Sequence, residues 1–163
     1  MGGEAIRRYR VIGLWTAVLG VVIAVSGCYI TDNPPKSLNM AAFKGNKKAV
    51  MRFLRDGATP DGRGQGGERP LHSAVYGDRI DMVAFFLDEG ADINGTNDSE
   101  STPLHAAAWM GHLASAELLI ARGAKVNVKN QRDKTPLDWA IEQDHPEVAK
   151  LIRSHGGIRG VAE

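Results

Sequence analysis

The side chains able to do chemistry in this 163-residue chain are few and scattered. The histidines are His72, His105, His112, His145 and His155, and the single cysteine is Cys28. A zinc site asks for three or four such ligands, grouped at short spacings. His105 and His112 stand seven apart with no cysteine near them, so no metal site is expected. Hydrolytic and phosphate chemistry leaves local signatures, and the chain has no His-Glu-x-x-His, no nucleophile elbow and no glycine loop leading from a strand into a helix with its lysine. The glycine-rich stretch 62–67 lacks both lysine and strand context. The carboxylate pairs Asp88-Glu89 and Asp78/Asp81 fit solvated helix faces better than an acid–base dyad. No catalytic residue, no cofactor and no enzymatic activity is expected.

What positions these residues is a repeat. Gly57, Gly90, Gly123 and Gly156 are 33 apart, as are Pro70, Pro103 and Pro136, and Leu38, Leu71, Leu104 and Leu137. Several residue types sharing one period indicate a stack of small units, each burying an apolar face against its neighbours. Such a stack offers a long surface instead of a closed catalytic pocket. The clearest unit reads Thr102-Pro103-Leu104-His105-Ala106-Ala107 and continues through Gly123-Ala124-Lys125-Val126-Asn127. It resembles the ankyrin repeat, whose opening is T-P-L-H-x-A and whose length is 33 residues. Arg69-Pro70-Leu71-His72-Ser73-Ala74 follows closely, Thr135-Pro136-Leu137-Asp138 lacks the histidine, and Ser37-Leu38-Asn39-Met40-Ala41-Ala42 lacks proline and histidine. The resemblance implies an all-α solenoid of about four helix-turn-helix repeats with short β-turn tips. The domain is expected over residues 36–160, with repeats near 36–66, 67–99, 100–132 and 133–157.

Each slot has a physical reading. Thr102 and Thr135 suit helix N-caps, with Pro103 and Pro136 at the first helical position, where no N–H is needed; Arg69 is a poor cap before Pro70. Ala41, Ala74, Ala107 and Ala140 suit close helix approach. The glycines at 57, 90, 123 and 156 suit left-handed helix ends. Phe53-Leu54, Phe86-Leu87 and Leu119-Ile120 supply the buried stripe of each second helix. The terminal repeats are more polar, with Lys44, Lys47, Lys48 and Arg52 in the first and Arg153 in the last, as stack ends facing water require.

A different signal precedes the repeats. Arg7, Arg8 and Arg10 lead into an apolar run at 11–25, closed by Ser26-Gly27-Cys28. A basic start, about 15 apolar residues and a small-residue cut mark an export signal. The run falls short of the roughly 20 residues that span a bilayer. Small residues directly before a cysteine resemble the lipobox of bacterial lipoproteins. That resemblance implies a signal peptide over 1–27, cleavage between Gly27 and Cys28, and acyl chains (palmitate among them) on Cys28; an uncut membrane anchor is the alternative. More than one chain would hold the protein firmly to a membrane. Residues 28–35 form a short tether with a reach of about 25 Å. Tyr29 follows the cysteine where inner-membrane retention would use aspartate, so the outer membrane, facing the periplasm, is the expected location.

Removing residues 1–27 leaves 136, with 17 Lys and Arg against 18 Asp and Glu. This balance gives no nucleic-acid footprint, and the size fits one domain, expected to be monomeric. The function expected is therefore binding of a protein partner. By the resemblance, the residue after the Ala-Ala pair faces the groove: Phe43, Tyr76, Trp109 and Glu142, with Met110 beside Trp109. Tyr, Trp and Met are enriched at interaction hot spots. The tip residues Asp98, Ser99, Arg132 and Lys134 are candidate rim contacts. An aromatic in this slot could instead pack on the next repeat, and Phe43 is the one expected to do so. An inhibitor of a periplasm-acting toxin would use the same groove.

Overall fold

A computed structural model describes residues 37–160. The expected signal peptide, the expected cleavage and lipidation at Gly27–Cys28 and the expected tether lie outside the described residues. Eight helices form four pairs: α1 (Leu38–Phe43) with α2 (Lys47–Arg55), α3 (Pro70–Tyr76) with α4 (Ile80–Asp88), α5 (Pro103–Met110) with α6 (Leu113–Ala121), and α7 (Pro136–Glu142) with α8 (Pro146–Ser154). No strand occurs among the described residues. The first helices stack in the order α1–α3–α5–α7, and the second helices pack from α4 to α6 to α8. Loops between the pairs project as turn tips, one of which holds a short 3-10 turn, Gln65–Gly67.

The packing follows the period. Ala41, Ala74, Ala107 and Ala140 are wholly buried, as are Leu71 and Leu104. On the second helices Phe86, Leu119 and Ile152 are fully buried, whereas their followers Leu87 and Ile120 are only partly so. The first member of each pair is thus the core residue. Phe53 and Leu54 of the terminal first repeat are both only half-buried. A buried Leu or Phe contributes about 1.5–3 kcal/mol, so these few slots supply most of the cohesion. Gly57, Gly90, Gly123 and Gly156 have φ of 97°, 84°, 91° and 81°, the left-handed region that glycine enters without cost.

Candidate functional site

The turn at the start of each first helix sets the tips. The Thr102 N–H donates to His105 Nδ1 at 3.0 Å, which makes Nε2 the protonated nitrogen, and Nε2 donates to the Lys134 carbonyl at 3.1 Å. His72 Nε2 reaches the Ser101 carbonyl in the same way, at 2.9 Å. Both contacts run 29 residues ahead, so each histidine ties its helix to the next tip. Asn39 does the same work in the first repeat, where Nδ2 donates to the Glu68 carbonyl at 2.7 Å. Burial lowers the pKa of His72 and His105 from 6.5 to about 4, overriding the carbonyl contacts that would raise it. Both are neutral structural donors.

The tips themselves are built on two asparagines. Asn97 Oδ1 accepts from the N–H of Ser99 and of Ser101 at 3.0 and 2.9 Å. Asn130 Oδ1 accepts from Arg132 and Lys134 at 2.9 and 3.2 Å. Successive tips join through backbone, Asp98 N–H to the Gly66 carbonyl and Gln131 N–H to the Ser99 carbonyl. Arg69 caps nothing; its guanidinium pins Asp61 at 3.2 Å and reaches the Thr96 carbonyl.

Between tips and first helices lies a cleft of about 370 Å³, lined by Glu68, Tyr76, Ser99, Trp109, Arg132 and Trp139 among others. Trp109 is 42% exposed, yet its ring meets Trp139 edge-to-face at 4.5 Å. It is therefore both a contact between repeats and an open surface. Lys134 lies 4.5 Å over the Trp139 ring and pairs with Glu142 at 2.5 Å, so it fixes the cleft wall. Tyr76 is half-buried; burial, with the nearby Glu68 carboxylate, pushes its pKa to about 12. Burial also raises the pKa of Glu68, against the hydrogen bond it accepts from Asn97 Nδ2 at 2.8 Å; the charge of Asp98 raises it further.

The sequence-derived candidates separate. Tyr76, Trp109, Ser99 and Arg132 line this cleft, and Met110 is exposed beside it without lining it. Asp98 is exposed and pairs with Arg63 at 2.8 Å. Phe43 does not pack as core: it is 46% exposed and lines a second, more apolar cleft of about 660 Å³ with Leu38, Met40 and Ala58. From the next repeat, Arg79 reaches Phe43 only at its carbonyl, donating Nε at 3.3 Å, and Gly77 meets it through backbone. A Cβ on Gly77 would lie 2.1 Å from the Phe43 carbonyl, so no side chain comes from there to cover the ring.

A family model of ankyrin repeats in three copies matches residues 38–130 and again 97–160. The chain belongs to the ankyrin-repeat family. No curated protein matches it. Ankyrin repeats are a scaffold for protein–protein interaction. Among the described residues no group of three or more His, Cys, Asp or Glu is placed to hold a metal.

Three residues of the site escaped sequence reasoning. Asn97 and Asn130 are 33 apart, so the period carried their signal. Trp139 breaks the period, standing where other repeats have Ala106, Ser73 and Met40, and a search for recurring residues passes over it.

Proposed function

We propose that this ankyrin-repeat chain is a non-enzymatic binding module, lipid-anchored through Cys28 at the bacterial envelope and facing the periplasm, which holds a protein partner in the cleft between its tips and first helices. The observation that carries the binding part is the Trp109–Trp139 pair, a large aromatic surface left open in the central cleft beside polar tip groups. Aromatic anchors ringed by polar groups are where interfaces concentrate their affinity. The anchoring part is supported by the basic start, the apolar run at 11–25 and the small residues before Cys28. Cross-linking in native envelopes with the wild type and Trp109→Ala tests the first part. A partner bound by the wild type and about tenfold more weakly by a variant that is still folded is expected; equal capture by both moves the interface off the cleft. The partner's identity separates a scaffold from an inhibitor of a toxin. For the anchor, Cys28→Ser is expected to abolish fatty-acid labelling and processing, and a processed, acylated variant would refute it.

A further inference from the structure

The charge of the repeat domain is not evenly spread. Residues 37–55 hold five Lys and Arg and no acid, whereas residues 56–160 hold eleven Lys and Arg against sixteen Asp and Glu. Four of these five cations sit on one helix. In α2, Ala49 and Val50 are buried, while Lys47, Lys48, Met51, Arg52 and Arg55 are all exposed. Spacings of one, four, five and eight put these five on one outward face. Lys44 is exposed in the turn before it. Arg52 and Lys47 lie 5.5 and 5.4 Å from the Phe53 and Phe85 ring centroids, contacts that steady their stems. None of the cations Lys44, Lys47, Lys48, Arg52 and Arg55 forms an ion pair among the described residues, in contrast with Arg63, Arg69, Arg122, Lys134 and Arg159.

A polar cap for the end of a stack does not need one sign. The other end shows this: the corresponding face of α8 carries Glu147 and Lys150 together, and that of α4 carries Asp81 and Asp88. Unpaired cations around an exposed Met51, 47% open, on the outer helix opposite a tip-and-cleft site, form the pattern of a surface helix lying on lipid headgroups. An acidic protein would be met by shaped, paired contacts, and a nucleic acid would find an otherwise acidic domain. We infer that the outer face of α2, with Lys44, is a docking surface for an anionic phospholipid bilayer, which orients the repeat domain on its membrane. The inference rests on the envelope reading only for the supply of that bilayer.

The test is acetylation footprinting of the full wild-type chain in two kinds of vesicle, phosphatidylcholine alone and phosphatidylcholine with about a third phosphatidylglycerol. Lys44, Lys47 and Lys48 are expected to be modified about tenfold more slowly in anionic vesicles, and the protection to vanish in about 1 M salt, where the Debye length is about 3 Å. Lys125 and Lys129, both exposed and outside the second helices, serve as internal controls and should not change. In the variant Lys48→Glu/Arg52→Glu, both changes on solvent-facing positions, the protection of Lys44 should be lost. Equal modification in the two lipids, or uniform slowing of all five lysines, would overturn the inference. Failure of the chain to associate with neutral vesicles would count against the anchor instead, and leaves the lysine readout in anionic vesicles intact.

Discussion

The third and fourth repeats solve the same local problem with opposite chemistry. In the third, His105 sits at the helix start, caps back to Thr102 and donates forward to the Lys134 carbonyl of the next tip. In the fourth, Asp138 occupies that slot, and no further tip follows it among the described residues. Its Oδ2 accepts from the Thr135 N–H at 2.8 Å and the Gly160 N–H at 2.7 Å, and its Oδ1 from Arg159 Nε at 3.2 Å. Thr135 Oγ1 also reaches the Ile158 carbonyl at 2.8 Å, so residues 158–160 fold back to close the stack. Burial would raise the pKa of Asp138, but these hydrogen bonds outweigh it and hold the carboxyl below its ordinary value. A slot facing a carbonyl takes a neutral donor, and a slot facing N–H groups takes an anion. What each slot faces, the Lys134 carbonyl or the Thr135 and Gly160 N–H groups, decides which.

Acid breaks the comparison most strongly. His72 and His105 have folded pKa values of about 4, below the 6.5 of the unfolded chain. Their contribution is complete above pH 6.5 and is lost as pH falls from 6.5 towards 4, because the unfolded state takes up protons first. A shift of that size corresponds to as much as about 3 kcal/mol for each. Asp138, with its pKa lowered from 3.8, loses its contribution only at still lower pH. Urea unfolding across a pH series should therefore show a steep fall between pH 6.5 and 4. His105→Asn supplies the donor that Asn39 uses in the first repeat without a titrating group, so the fall should become shallower. An unchanged slope would mean that His105 is not what titrates.

Exchanging the two chemistries is the next largest test. His105→Asp places a carboxylate against the Lys134 carbonyl, where it has nothing to accept from on that side. An uncompensated buried charge costs about 3–5 kcal/mol. The reverse change, Asp138→His, removes an acceptor whose donors Thr135, Arg159 and Gly160 remain, and should cost less, about 1–3 kcal/mol. Denaturant midpoints of the two variants check the order. If His105→Asp is the milder change, the forward contact to Lys134 is not what the slot is for.

The legible part of this molecule was whatever recurs. Leu38, Leu71, Leu104 and Leu137, the alanine slot and the glycine ends all announced the stack, and Thr102 and Thr135 announced its caps. What stayed hidden depends on the neighbour rather than on the residue. Asn39 looks like a missing histidine until it is seen bonding to the Glu68 carbonyl. Phe43 looks like core until Gly77 is found against its backbone. Trp139 departs from its repeat partners, and only the fold shows that it meets Trp109 edge-to-face. The cleft is thus read least well where the repeats differ, which is also where a partner would distinguish this chain from others of its fold.

The smallest effect sharpens the same comparison at the end of the first helix. Gly111 in the third repeat and Asp144 in the fourth share a slot and a left-handed φ, 72° and 56°. For Gly111 a second constraint applies: a Cβ there would lie 2.6 Å from the His145 ring, which the following repeat presses against the Trp109 carbonyl at 3.1 Å. Asp144 is exposed, so its left-handed backbone conformation is the constraint that weighs on it. Gly111→Ala should therefore cost about 1–2 kcal/mol, from strain plus displacement of His145. Asp144→Gly should be neutral or stabilise by less than about 1 kcal/mol, since it only relieves the φ penalty. Melting of the two variants beside the wild type gives the sign of each. Should Gly111→Ala prove as harmless as Asp144→Gly, the His145 contact yields freely, and an inner and an end repeat would differ at the helix start alone.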